Sequence, residues 1–341
     1  MPAPATSALA TSTTPRNAAP SNGGPADGVP DRTYILISPT RDEAVYCRRT
    51  LDSVIAQTCR PTRWIIVDDG STDGTSEILD AYAADHDWIH VVRRPNRGKR
   101  SVGPGVIDAF YAGYETIDPA AFTYLCKLDL DLDLPPRYFE TLIERMEASP
   151  RLGTCSGKAY YPHPRTDQLV SEKLGDEMSA GMTKFYRTPC FEQIGGFVRQ
   201  VMWDGIDCHR ARMLGWQAAS WDDSELRFTH LRPMGSSDKG IWRGRMRHGF
   251  GQHFMGTSLA YMTASALYRM TRPPYILGGL AMWVGYTHAI ITREPRYPDR
   301  AFRRFLRRYQ WACLFRGKAR ATADTESHQA THWQPTAAPR P

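Results

Sequence analysis

Four short apolar runs, each stopped by turn-forming or charged residues, set the main constraint on this chain. They are Thr33 to Ser38, Arg63 to Val67, Trp88 to Val92 and Phe122 to Leu128. Helical spacing of apolar residues lies between them, at Val45, Leu51, Val54 and Ile55, then Ile78, Leu79 and Tyr82, then Val106 to Ile117. Continuous apolar runs of this length read as strands buried on both faces. Alternation of strand and helix predicts an α/β fold: a Rossmann-like, mostly parallel sheet flanked by helices, with right-handed crossovers. Ligands of such sheets bind beyond the carboxyl ends of the strands. Three charged segments follow the strands here: Pro39-Thr40-Arg41-Asp42-Glu43, Asp68-Asp69-Gly70-Ser71 and Asp129-Leu130-Asp131. All three are expected on one edge of the sheet.

The last segment carries the most chemistry. Side chains on an extended chain alternate faces, so Asp129 and Asp131 point the same way. Two like charges side by side repel, and a divalent cation between them removes that cost. Mg²⁺ or Mn²⁺ held by one or two carboxylates takes its remaining ligands from water and phosphate oxygens. The same alternation also fits a half-buried strand with a solvated acidic face. Asp133 extends it, so Asp131 with Asp133 is the other candidate pair.

The length of 341 residues suits one large α/β domain with additions, or two domains. A net charge of +7 favours anionic partners. The seven cysteines are scattered, odd in number and form no Cys-x-x-Cys pair, which suits a reducing cytoplasm rather than a disulfide scaffold. Residues 1–31 are poor in bulky apolar side chains and read as a disordered tail, with no apolar segment of a secretory signal. Residues 32–235 read as the sheet domain, 236–319 as a basic helical extension, and 320–341 as a second loose tail.

Several motifs together carry a family resemblance. They are Ile37 to Glu43, Leu51 to Thr58, Ile65 to Thr75, Gly98-Lys99, the acidic motif, Gly195-Gly196-Phe197 and Trp203-Asp204-Gly205-Ile206-Asp207. Over roughly residues 33 to 232 the chain resembles family 2 glycosyltransferases of the GT-A fold. The resemblance implies a nucleotide-sugar donor, a divalent metal and inversion at the anomeric carbon. It implies that Pro39, Arg41 and Glu43 line the nucleoside pocket and that Asp69 faces the base. Asp129 and Asp131 would be the metal motif, Gly195, Gly196 and Phe197 would border the acceptor, and Asp204 would be the general base. Asp42 and Arg41 depart from the Asn and Tyr common at these positions.

Further candidates come from the residues themselves. Lys99 can add positive charge at the phosphates, or be a solvated loop lysine. Asp207 competes with Asp204 as the base, or is an N-cap. His230 and Arg232 share one face of an extended segment and can meet the diphosphate or the metal, with His230 a further metal candidate. In the extension, residues 273–292 lack Lys, Arg, Asp and Glu and approach the length of a membrane span, though a buried or interfacial helix fits their glycines better. Phe302, Phe305, Leu306 and Tyr309, with Arg303, Arg304, Arg307 and Arg308 opposite, form a basic amphipathic helix. Such a helix lies on an anionic membrane, or packs on the core with its arginines in water.

The expected activity is transfer of a sugar from a nucleotide-diphosphate sugar, uridine being the commonest base, to a glycan or lipid-linked hydroxyl in cell-surface polysaccharide synthesis. The expected place is the cytoplasm, with peripheral attachment at the inner face of the plasma membrane, and no nucleic-acid partner. The competing readings are a metal-dependent nucleotidyltransferase, and a basic membrane- or nucleic-acid-binding protein on a degenerate catalytic fold.

Overall fold

A computed structural model describes residues 31–98, 103–163, 166, 168–232, 240–272 and 274–334. The disorder expected for residues 1–30 and the placement of Lys99 lie outside the described residues, as does the stretch 335–341. The first half runs β1 (Tyr34–Thr40), α1 (Cys47–Ile55), β2 (Arg63–Asp68), α2 (Thr75–Asp85), β3 (Ile89–Arg93), α3 (Pro104–Tyr114), β4 (Tyr124–Leu128), β5 (Leu132–Asp133) and α4 (Tyr138–Ala148). It continues through β6 (Leu152–Pro162), β7 (Leu169–Ser171), β8 (Thr183–Arg187), α5 (Thr188–Gln193), α6 (Trp203–Met213), β9 (Gln217–Trp221) and β10 (Arg227–His230). Five helices follow: α7 (Ile241–Met255), α8 (Leu259–Met270), α9 (Tyr275–Ile291), α10 (Arg300–Arg316) and α11 (Lys318–Ala330).

The strands order as β3-β2-β1-β4-β8-β6-β10-β5, with β7 and β9 also paired to β6. β3, β2, β1 and β4 are mutually parallel, the α/β arrangement the apolar runs imply. β8 then enters antiparallel between β4 and β6, so the whole sheet is mixed. Period-two alternation splits the strand side chains between two cores. Tyr34, Leu36, Trp64, Ile66, Tyr124 and Cys126 pack on one face, with Leu51 and Val54 of α1 and Phe139 and Leu142 of α4. Ile35, Ile37, Ile65, Val67 and Leu125 pack on the other, with Ile107 and Phe110 of α3 and Phe191 of α5. Each fully buried side chain of this kind contributes about 1.5–3 kcal/mol.

The helical extension docks through its own apolar residues. On α10, Phe302, Leu306 and Tyr309 are buried, and the first two join Ile206, Phe254 and Tyr297. The amphipathic face therefore packs on α6 and α7, leaving the arginines outward; of the two expectations for this helix, the core-packed one is realised. Among the described residues no helix is long and apolar enough to cross a membrane. α9 instead meets its neighbours backbone to backbone: a Cβ on Gly249 would strike the Met282 carbonyl, one on Gly285 the Met246 carbonyl, and one on Gly279 the Ala266 carbonyl.

The loose tail expected from residue 320 is a correction. α11 is a helix to Ala330, anchored by Glu326, whose Oε1 pairs with the buried Arg212 at 3.1 Å and whose carbonyl accepts from Arg151 at 2.7 Å. Trp333 then stacks edge-on against Trp216 at 5.6 Å. Its Ala- and Thr-rich composition hid these tertiary anchors.

Candidate active site

Parallel register brings the ends of β1, β2 and β4 together: Thr40 lies beside Asp68, and Ile37 beside Lys127. Pro39 is buried in β1 opposite Val67. Beyond Thr40 the loop turns sharply at Asp42, whose φ is 53°. Cross-loop hydrogen bonds fix that turn. Thr72 N donates to Asp42 Oδ1 at 2.8 Å, and Glu43 N donates to Thr75 Oγ1 at 2.8 Å. Arg41 donates to the Asp69 carbonyl at 3.0 Å and to Asn96 Oδ1 at 2.7 Å. Asp69 is nearly buried, and its carboxylate takes Arg94 at 2.9 Å and also Arg97. A rim of guanidinium groups thus surrounds the residue expected to face a base.

The acidic pair is held by three cations. Lys127, 1% exposed in the middle of β4, sends Nζ to Asp129 Oδ1 at 2.5 Å and to the Gly181 carbonyl at 2.9 Å. Burial pushes the Asp129 carboxyl up; Lys127 opposes this and the Asp131 charge reinforces it. Asp131 Oδ2 accepts from Arg232 Nε at 2.7 Å and lies 3.4 Å from His230 Nε2. Arg232 also reaches Glu43 Oε1 at 2.5 Å, so it ties the loop after β1 to the loop after β4. Burial alone would raise the Asp131 pKa, but the His230 hydrogen bond and the charges of His230 and Arg232 bring it down to about 2. Burial likewise opposes charge on His230, and its bonds to Asp131 and Glu172 overcome that and lift it to about 9. In this arrangement both His230 nitrogens face carboxylates, Nε2 toward Asp131 and Nδ1 toward Glu172. Asp133 pairs with Arg49 at 2.8 Å.

An oxygen of the acidic pair itself is left over. Asp131 Oδ1 is buried and has no hydrogen-bond partner among the described residues. A buried carboxylate oxygen without a donor is costly. Together with the half-buried Asp129 it forms a two-carboxylate oxygen set, the chemistry a hard divalent cation requires. Among the described residues no group of three or more His, Cys, Asp or Glu surrounds a common point. The residues present therefore fit a cation that draws its other ligands from water and from phosphate oxygens.

On the opposite side stands α6. Met202, with φ 65°, precedes it, and Asp204 lies in its first turn, part exposed. The Asp204 carboxylate rests against Gly181, where a Cβ would sit 2.9 Å from Oδ2. Gly181 is also the residue whose carbonyl takes Lys127. One glycine thus stands between the acidic pair and Asp204. Asp207 is one turn further along and is not an N-cap. It is 1% exposed, with both oxygens on Lys184 Nζ at 2.6 and 2.7 Å, and Tyr186 donates to it as well. Lys184 also holds the Asp204 carbonyl at 2.8 Å.

Gly195 and Gly196 both take positive φ, 71° and 69°, and a Cβ on Gly196 would strike the Tyr111 hydroxyl. That hydroxyl donates to the Phe197 carbonyl at 3.0 Å. Phe197 is buried and meets Trp203 at 4.7 Å between centroids, so this turn braces the residue that precedes Asp204. Lys127, Lys184, Arg94, Arg97 and Glu172 belong to the site and were missed from sequence. The available signal was a lysine inside each of two strands, Leu125-Cys126-Lys127-Leu128 and Thr183-Lys184-Phe185-Tyr186, where burial without a partner is prohibitive.

The chain is 32% identical over 136 residues to the poly-beta-1,6-N-acetyl-D-glucosamine synthase of Staphylococcus epidermidis, covering 39% of this chain and 29% of that protein. It is 28% identical over 137 residues to the polyprenol monophosphomannose synthase of Mycolicibacterium smegmatis, covering 39% of this chain and 47% of that one. It thus spans less than half the length of these curated relatives. Among solved structures, the mannosyltransferase PcManGT of Pyrobaculum calidifontis, in complex with GDP-Man and Mn2+, aligns with a TM-score of 0.47 and 19% identity over 91% of this chain and 87% of that one. S. aureus TarS 1-349 in complex with UDP-GlcNAc aligns with a TM-score of 0.46 and 13% identity over 88% and 90%. The family model described as glycosyl transferase family 2 matches residues 35–200, and over this segment the chain is similar to glycosyltransferase family 2.

Proposed function

We propose that the chain transfers a sugar, with inversion, from a nucleotide-diphosphate sugar to a hydroxyl of a glycan or lipid-linked acceptor in cell-surface polysaccharide synthesis, on a GT-A fold. A uridine diphosphate sugar is the expected donor. The observation that carries this reading is the buried Asp131 Oδ1, partnerless among the described residues, beside Asp129 at the carboxyl end of β4. These two carboxylates would hold Mg²⁺ or Mn²⁺, which supplies charge neutralisation at the departing diphosphate. Arg232 and Glu43 keep Asp131 in place, and Arg94 and Arg97 hold the Asp69 carboxylate against the loop that would receive the nucleoside. Pro39, Arg41, Glu43 and Asp69 line the donor side, with Lys99 a further phosphate contact. Asp204 takes the proton of the acceptor hydroxyl, a step that contributes roughly 10²–10⁴-fold when the base is well placed. Gly195, Gly196 and Phe197 shape the acceptor side through Trp203.

The exposed row Tyr275, Ile276, Leu277 and Trp283 of α9, near the basic Arg269 and Arg272, supports peripheral attachment to an anionic bilayer at the inner face of the plasma membrane. Calorimetric titration of the purified chain with UDP, with and without Mn²⁺, tests the catalytic reading. Metal-dependent binding followed by hydrolysis of one nucleotide sugar in a panel is the expected result. Absence of metal-dependent nucleotide binding would overturn it and favour a binding module.

A further inference from the structure

Several surface arginines in this protein are matched to carboxylates. Arg137 meets Glu140, Glu144 and Glu225, Arg93 meets Asp80, Arg145 meets Asp223 and Arg227 meets Asp222. A second group has no carboxylate partner among the described residues and is gathered in one place. Arg296, Arg300, Arg303, Arg304 and Arg307 line an open hollow of about 270 Å³ at the start of α10. Four of them recur along α10 at spacings of three and four, which places them on one face. The acidic residues nearest in sequence are engaged elsewhere. Asp299 caps α10 through Phe302 N at 2.9 Å, and Glu294 accepts from Thr292 at 3.4 Å.

The few contacts these arginines make are to neutral groups that orient without neutralising. Arg296 Nε donates to His253 Nε2 at 3.3 Å, so that ring nitrogen carries no proton. Arg307 Nε donates to the Gly256 carbonyl at 3.2 Å. The Arg303 stem lies over Gly256, which has φ 97°, and a Cβ there would meet Arg303 Cδ at 2.8 Å. Beneath the hollow, Phe302 and Leu306 are fully buried, so the face cannot turn away. Five arginines around one hollow gather like charge, and the guanidinium group is the side chain whose geometry suits the paired oxygens of a phosphate.

We propose that this hollow is a binding site for a phosphate-bearing anion with two or more negative charges, a phosphate monoester or a diphosphate. It shares no residue with the donor side, and its occupancy is independent of the glycosyl-transfer reading. The ligand is either a soluble phosphate compound or the headgroup of an anionic lipid.

The test uses the full chain in EDTA, so that no metal-dependent donor binding contributes. Inorganic pyrophosphate is titrated by calorimetry, and phosphatidylcholine vesicles with and without 20 mol% phosphatidic acid, about one lipid in five, are used in flotation. The double variant Arg300→Gln, Arg304→Gln changes two exposed residues with no partner among the described residues, and its melting curve checks the fold. Pyrophosphate binding that weakens about 10- to 100-fold in this variant supports the site and assigns a soluble ligand. Binding only to the phosphatidic acid vesicles, weakened to the same degree in the variant, supports the site and assigns a lipid headgroup. An Asp131→Asn variant should bind both probes as the parent does. If the parent binds neither probe, or the double variant binds both as tightly as the parent, the proposal is overturned.

Discussion

Asp131 and Asp207 are both buried aspartates beside cations, yet their surroundings differ in one decisive respect. Every oxygen of Asp207 is used: Lys184 takes both and Tyr186 adds a third bond. Asp131 has Arg232 and His230 on Oδ2 and, among the described residues, no donor on Oδ1. A complete network holds elements together, here β8 against α6, and offers nothing to a ligand. An incomplete one at a strand end has room for a missing cation. The difference also separates the two candidate bases. Asp207 is walled in, while Asp204, one turn earlier, keeps its carboxylate at the part-exposed start of α6.

The sharpest way to break this comparison is Asp131→Asn. We expect metal-dependent hydrolysis of the nucleotide sugar to fall about a thousandfold or more, with an unchanged circular dichroism spectrum. Unchanged hydrolysis would make Asp131 no different in kind from Asp207. Next, Asp204→Asn should lower transfer by roughly 10²–10⁴-fold while UDP affinity in Mn²⁺ stays within a fewfold. If transfer survives there but is lost in a folded Asp207→Asn variant, the roles are reversed. Lys184→Met should act on stability instead. It strands a buried carboxylate and should cost about 3–5 kcal/mol in urea denaturation. A smaller loss would mean that Asp207 has other support.

The mildest effect is one of pH. His209 on α6 is buried against Arg212, and burial first, then the arginine charge, hold its pKa well below the usual value. The folded ring stays neutral while the unfolded ring takes a proton below pH ~6.5. Its contribution to stability is therefore complete above that pH and is lost as pH falls, at up to about 1.4 kcal/mol per pH unit. Urea melts between pH 7 and 5 should show this slope in the parent and a flatter one in His209→Gln.

The frame of the molecule was legible because its strands are buried on both faces. Tyr34–Thr40 is buried at all seven positions, and such a run admits little but a central strand. The charged segments at the strand ends followed from topology alone. What sequence did not disclose was pairing across distance: that Lys127 reaches Gly181, that Arg232 bridges Glu43 and Asp131, or that Arg94 and Arg97 converge on Asp69. A cation's partner is a tertiary fact, and local pattern holds no record of it. The same holds for α11, whose weakly apolar sequence is helical because Glu326 finds Arg212 and Arg151.

The glycine contacts of α9 have a consequence for the surface it presents. With Gly249, Gly279 and Gly285 each leaving space only for a neighbour's carbonyl, the helix is keyed like a shaft in a slot. It cannot roll to tuck Tyr275, Ile276 and Trp283 inward without driving backbone into backbone. That outward row therefore stays in solvent as long as these helices remain packed.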